Sequence, residues 1–137
     1  IVDFNPFWRK VNKVSPFLPP LDETVQPSMT KADQEAIDKS QGCIMCGSCN
    51  SECNALEVDE HFAAPAALAK AWRIVGDVRE GNRKIRLEEL SGAHGIWSCV
   101  RCVHCTEYCP KGVEPLKQIE MLRSAAIREG ITDNPGA

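Results

Sequence analysis

Cys43-Ile44-Met45-Cys46-Gly47-Ser48-Cys49-Asn50-Ser51-Glu52-Cys53 and Cys99-Val100-Arg101-Cys102-Val103-His104-Cys105-Thr106-Glu107-Tyr108-Cys109 are two copies of one spacing, C-x2-C-x2-C-x3-C, and together they hold all eight cysteines of the chain. Three thiolates placed three residues apart on a tight turn reach three corners of one cubane iron-sulfur cluster. The fourth cysteine cannot comfortably close the same cube. In two-cluster proteins carrying this run with a proline after it, as in Cys109-Pro110, the fourth cysteine serves the other cluster. The spacing therefore assigns Cys43, Cys46, Cys49 and Cys109 to one cluster, and Cys53, Cys99, Cys102 and Cys105 to the other.

Two plainer uses of cysteine fit less well. A structural zinc ion takes two Cys-x2-Cys pairs, whereas each run here adds a third cysteine at the same step and a fourth after three more residues. Disulfides staple small secreted domains, but cysteines three apart on a helical turn are poorly directed toward one another, and no signal peptide is present.

Composition bounds the rest. A chain of 137 residues with 26% charged and 43% apolar side chains suits one globular domain. A net charge of -3 argues against a nucleic-acid surface. No apolar stretch approaches the roughly 20 residues that cross a bilayer, so membrane attachment would go through a partner. Cysteines kept reduced for cluster insertion favour assembly in the cytoplasm. The start at Ile1-Val2-Asp3, without methionine, reads as a fragment or processed piece.

Residues 1–28 hold five of the nine prolines (Pro6, Pro16, Pro19, Pro20 and Pro27) and no cysteine. Apart from the short amphipathic run Phe7-Trp8-Arg9-Lys10-Val11, they read as an extended, turn-rich linker. Residues 29–137 form the domain proper. Thr30 and Asp33 cap a helix running to about Ser40, and Gly42 breaks it. Pro65 suits a helix first turn, with Ala67, Leu68, Ala71, Trp72 and Val75 at helical spacing to about Val78 and a stop at Gly81. A short helix covers Arg83 to Leu90, and Gly92 and Gly95 open the turn into the second motif. A last helix runs from Pro115 to Gly130 with Leu116, Ile119, Leu122 and Ile127 on or near one face. No strand is predicted. Cys43 and Cys99 occupy equivalent positions 56 residues apart, each motif followed by a helix that opens with proline, so the fold reads as a pseudo-repeat of two helical layers around the clusters. Gly42, Gly47 and Gly112 suit close approach of backbone to cluster.

Several of these segments resemble the C-terminal half of the iron-sulfur subunit of succinate dehydrogenases and fumarate reductases. They are Ile1 to Phe7, Gly42 to Cys49, Phe62 to Leu68, Ala71 to Asp77, and Gly95 to Cys99 leading into Cys109-Pro110-Lys111-Gly112-Val113. The cysteine spacing alone is shared with heterodisulfide reductase and glycolate oxidase subunits, which remain the alternative. The resemblance implies an all-α, alpha-helical ferredoxin domain with pseudo-repeated helix pairs around two iron-sulfur clusters. It also implies a non-catalytic electron-transfer subunit of an oxidoreductase. Electrons would pass from FAD in a flavoprotein subunit, through a 2Fe-2S cluster in an upstream domain, to the two clusters here. From there they would reach a quinone or another acceptor beside membrane anchor subunits, in a peripheral complex on the cytoplasmic face.

Three departures from the family pattern matter. Many members carry a non-cysteine at the position of Cys102 and bind a 3Fe-4S cluster; with Cys102 present, two 4Fe-4S clusters are implied. The first motif ends Cys53-Asn54 without the usual proline. The aromatic and histidine that line a quinone site in some relatives are replaced by Leu56 or Glu57 and by Val100. Among other candidates, His104 reads as a partly exposed loop histidine rather than part of a proton path, and His61 and His94 as surface or capping residues. Trp72 reads as core, and Trp97 fits either core or a quinone-facing role. Lys111 and Arg101 either offset cluster charge or are simply solvated. Arg73 and Asp77 form an i,i+4 pair.

Overall fold

The computed structural model describes residues 1–19 and 28–132. Its helices are α1 (Asn5–Lys13), α2 (Lys31–Gln41), α3 (Ser48–Ser51), α4 (Asn54–Val58), α5 (Pro65–Val75), α6 (Arg83–Leu90), α7 (His104–Glu107) and α8 (Pro115–Arg128), with a 3-10 turn at Ile96–Ser98. Among the described residues there is no strand, and the all-α expectation holds.

The middle of the structure is α5, whose Pro-Ala-Ala-Leu-Ala-Lys-Ala-Trp-Arg-Ile-Val sequence buries all its residues but Lys70 and Arg73. A helix apolar on every side needs covering on every side, and α1, α2 and α8 all pack on it. Phe62, Leu68, Trp72, Val75, Leu87, Ile96, Ile119 and Leu122 form the main core. Capping fixes α2: the Thr30 hydroxyl accepts from the Asp33 N–H at 3.2 Å, and the Asp33 carboxylate accepts from the Thr30 N–H at 2.9 Å. Trp72 lies in the core as expected and donates its indole N–H to the Ala36 carbonyl at 3.1 Å, tying α5 to α2.

Three expectations need correction. Residues 5–13 are helical rather than extended, because Pro6 falls in the first turn, where its missing N–H is no loss. Phe7 and Val11, four residues apart, pack on Ala66 and Ala67. The Lys10 ammonium donates to the carbonyls of Glu60 and Phe62, both at 2.6 Å, and the Arg86 guanidinium donates to those of Val14, Ser15 and Phe17, so this stretch is bolted to the body. Residues 20–27 of the expected linker lie outside the described residues.

Second, α5 stops at Val75 rather than Val78. The Asp77 carboxylate turns back to accept from the Arg79 N–H at 3.0 Å and from the guanidinium groups of Arg73 and Arg79 at 2.9 and 2.7 Å. Those two cations hold its pKa down to about 2, the Arg79 bond being the stronger cause. The Arg73–Asp77 pair was anticipated; its closure by Arg79 was not. Third, Ile127 is exposed on α8, where the buried stripe is Pro115, Gln118, Ile119, Leu122, Arg123, Ala125 and Ala126. Two polar residues sit in that stripe, and both are explained below by what they bond. Gly42 ends α2 as its C-cap, as expected.

Gly95 enters the 3-10 turn under a steric constraint. A Cβ there would stand 2.0 Å from the Leu90 carbonyl oxygen and 2.9 Å from that of Gly92. Both are backbone atoms, so the obstruction cannot swing aside. Gly95→Ala should therefore destabilise the chain by about 3 kcal/mol. Gly81→Ala, whose new carbon meets nothing within 4 Å, should stay within about 0.5 kcal/mol of the parent. Guanidinium titration followed by circular dichroism compares the two.

Candidate metal centres

Each cysteine run folds as a loop with two left-handed residues followed by a single helical turn. In the first run the positive φ angles fall at Met45 (58°) and Gly47 (79°), and in the second at the equivalent Arg101 (59°) and Val103 (71°). These reversals coil the loop so that successive thiols face inward, and α3 and α7 begin directly after them. Gly47 takes this conformation freely, whereas Val103, branched at Cβ, is strained in it. The two short helices pack against each other. Cys49 lies on α3 with Cys53 just beyond it; Cys105 lies on α7, followed in the same way by Cys109.

That packing brings thiols of the two runs close to one another. Cys43, Cys46, Cys49 and Cys109 line a small pocket together with Ala66 and Ala69 of α5, Lys111, Val113 and Pro115. Cys105 has Cys99, Cys53 and Cys102 as its electrostatic neighbours. Burial, followed by the charges of Cys43, Cys105, Cys109 and Cys46, pushes the Cys49 thiol from 9.0 up to about 12. Burial likewise raises Cys105 to about 11 and raises Cys53. Cys46, at the surface, shifts the other way because the Ser48 hydroxyl and then the Ser48 N–H bond its sulfur. Backbone N–H groups of Met45 and Val113 donate to the sulfurs of Cys43 and Cys109 at 3.4 and 3.3 Å.

These features fit an iron-sulfur cluster in each group. The donor sets are all sulfur, which is the ligand chemistry of such clusters. The first set lines a pocket. Near the second set, the buried Trp97 indole N–H has no hydrogen-bond partner among the described residues, a free donor for a sulfur-rich occupant. A family model for the 4Fe-4S dicluster domain matches residues 39–113. The chain belongs to the 4Fe-4S dicluster domain family.

Named relatives of this dicluster domain point the same way. It is 33% identical to the 8-methylmenaquinol:fumarate reductase iron-sulfur subunit of Wolinella succinogenes, over 99% of the chain and 44% of that protein. It is 32% identical to the mitochondrial succinate dehydrogenase (ubiquinone) iron-sulfur subunit 1 of Oryza sativa subsp. japonica, over 93% and 47%. It is 30% identical to the fumarate reductase iron-sulfur subunit of Escherichia coli O6:H1, over 95% and 51%. The chain spans about half the length of the curated relatives it matches. The resemblance drawn from the sequence is borne out at this level.

Other residues singled out in the sequence fall at the margins. His94 Nδ1 lies 2.6 Å from the Asp59 carboxylate and its ring 5.4 Å from that of His61, away from the thiols. His104 opens α7 and meets Tyr108 edge to face. Arg101 pairs with Glu120 at 3.1 Å on the surface. Residues not foreseen include Asn50, whose side-chain oxygen accepts from the Ala66 N–H at 3.1 Å and ties the first motif to α5. Gln118 donates to the Val113 carbonyl at 2.9 Å. Arg123 donates to the carbonyls of Ile96, Trp97 and Cys99. The signal was present in α8, as a glutamine and an arginine at buried helical spacing.

Raised thiol pKa values set a stability window. An acid whose pKa is higher in the folded chain stabilises the fold fully below its unfolded value, and that contribution is lost as pH rises through the folded one. The metal-free chain should therefore melt at progressively lower temperature between about pH 9 and pH 12, the window set by Cys49. The iron-loaded chain, its cysteines already deprotonated, should show no such fall over the same range. Thermal melts at stepped pH test both.

Proposed function

We propose that this chain is the electron-relay part of an iron-sulfur subunit in an oxidoreductase complex of the succinate dehydrogenase and fumarate reductase class. Cys43, Cys46, Cys49 and Cys109 hold one 4Fe-4S cluster in this reading, and Cys53, Cys99, Cys102 and Cys105 hold the other. Bound there, each cluster supplies reversible uptake of one electron. The observation that supports the reading is the pocket whose lining Cys43, Cys46 and Cys49 of the first run share with Cys109 of the second, beside the α3–α7 contact.

The protein's own part is to hold, insulate and tune. Cys49 and Cys53 are four residues apart across the end of α3, and Cys105 and Cys109 repeat this across the end of α7. The two centres are therefore linked through two short covalent paths, a separation that favours direct transfer. Met45 and Val113 donate N–H groups to sulfur, and such bonds stabilise added negative charge and raise a potential. Within the span of roughly -700 to +450 mV open to such clusters, burial and these bonds decide where each centre falls. The reading assigns no nucleophile or proton carrier to either group.

By extension, the wider complex contains a flavoprotein subunit with FAD, a 2Fe-2S domain upstream and membrane anchor subunits, on the cytoplasmic face. Among the described residues no helix is long and apolar enough to cross a membrane, so anchoring falls to partners in this reading. The Wolinella succinogenes relative's name pairs a quinol with fumarate, which supports a quinone-type redox partner. Val100 and Leu56 or Glu57 would then change how such a partner is contacted.

Low-temperature EPR with iron and zinc analysis tests the centre of this proposal. Iron near eight per chain, silence when oxidised and interacting signals after dithionite reduction are the expected results; zinc without iron would end the reading. Cys102→Ser should leave the first cluster intact and convert the second to a three-iron form, seen as a sharp signal in the oxidised state. Cys109→Ala should damage the cluster built on Cys43, and selective loss of the other cluster would refute the crossed ligation.

A further inference from the structure

Asn50 and Thr106 occupy equivalent positions, each directly after the third cysteine of its run, and they carry different chemistry. The Asn50 side-chain oxygen accepts from the Ala66 N–H at 3.1 Å and from the Cys49 thiol at 3.7 Å. An oxygen held that way has no proton to give a thiolate. Thr106 brings a hydroxyl instead, and its Oγ1 is buried without a well-directed hydrogen-bond partner among the described residues. A helical threonine ordinarily bonds the carbonyl three or four residues back. Here the Val103 carbonyl already accepts the Thr106 and Glu107 N–H groups at 2.8 and 3.2 Å, and the hydroxyl does not join them. Ser91 and Trp97 also bury an unpaired polar atom, but neither adjoins a cysteine in the chain. The Thr106 hydroxyl stands beside the Cys105 sulfur: burial pushes that thiol up to about 11, and the hydroxyl pulls against it.

We propose that Thr106 donates a hydrogen bond from its hydroxyl to the Cys105 sulfur of the second centre, and that this bond favours the reduced form of the cluster held there. This rests on the cluster assignment above. A thiolate is a stronger acceptor than a neutral thiol, which gives the idle hydroxyl the partner it lacks. A hydrogen bond to a ligand sulfur stabilises the negative charge that reduction adds. The Thr106 N–H is spent on Val103 and its carbonyl accepts from the Cys109 N–H at 3.4 Å, so the hydroxyl is the group left for this role. The first centre relies on the backbone N–H groups of Met45 and Val113, and Asn50 adds no equivalent donor.

Redox titration of the iron-loaded chain, with each centre followed by EPR, tests this on wild type, Thr106→Val and Thr106→Ser. The Val variant keeps the branched shape and loses the hydroxyl. It should move the second centre at least threefold toward its oxidised form, about 28 mV at 59 mV per tenfold for one electron, with the first centre moving less than half as far. The Ser variant keeps the hydroxyl and should stay closer to wild type than to Val. A smaller or opposite shift in Val, the same shift in Ser as in Val, or equal shifts at both centres would overturn the proposal. Should Val fail to hold the second centre, Thr106→Ala decides by the same criteria, and loss of the centre in Ala as well would overturn the proposal by making the residue structural. Wild-type protein that takes up no iron would instead refute the cluster assignment.

Discussion

Everything in this fold is subordinate to two four-residue helices that must lie against each other. Because α3 leads from Cys49 to Cys53 and α7 from Cys105 to Cys109, each short turn would deliver thiols to both clusters in the proposed ligation. Neither cluster could then form from one half of the chain. Four residues of helix have almost no intrinsic stability, so α3 and α7 need a scaffold. Helices α5 and α8, the proline-started helices that come after the two runs, pack on each other and on α3 and α7 respectively, and supply it. The pseudo-repeat is thus a mechanical arrangement in which each motif is braced by the helix after it, and the two braces form one core.

Electrostatics then divides the molecule into a part that resists charge and a part that manages it. Around the thiols, burial raises Cys49, Cys53 and Cys105, so thiolates there need a cationic partner to be held cheaply. Away from them, the buried carboxylates are closed into ion pairs, Asp77 by Arg73 and Arg79 and Glu80 by Arg86 at 2.7 Å. Arg86 also carries α1, so one cation joins the N-terminal helix, α6 and the turn before it. The family relationship implies iron in such a site, and the physical reading of the cavity leads to the same place.

The parts legible in the sequence were those with short-range causes. Cysteine spacing, the Thr30–Asp33 cap, prolines at helix starts and the Trp72 face of α5 are all local patterns, and each is found where it was read. What escaped was set at long range. Residues 5–13 looked like linker because Pro6, Pro16 and Pro19 were read as breakers, while the cause of order, Lys10 and Arg86 bonding distant carbonyls, lies about 50 and 70 residues away. Ile127 looked like core by composition, and the face of α8 was decided by what α5 and the 3-10 turn required. Arg123 and Gln118 were passed over because polar residues in an apolar stripe read as noise until their acceptors are known.

Val103 shows how far the site overrules local preference. Its counterpart Gly47 adopts a left-handed conformation at no steric cost, yet a valine holds the same conformation in the second run, where backbone strain of about 1–3 kcal/mol is the ordinary penalty. No local interaction recommends valine there: its side chain is 42% exposed. The conformation survives because it is fixed from both sides, by Cys102 and Cys105 facing one group and by the Thr106 and Glu107 N–H groups closing on the Val103 carbonyl at 2.8 and 3.2 Å. In the proposed ligation a cluster would add a further hold on this loop, and the strain at Val103 would be released most readily if that cluster were lost.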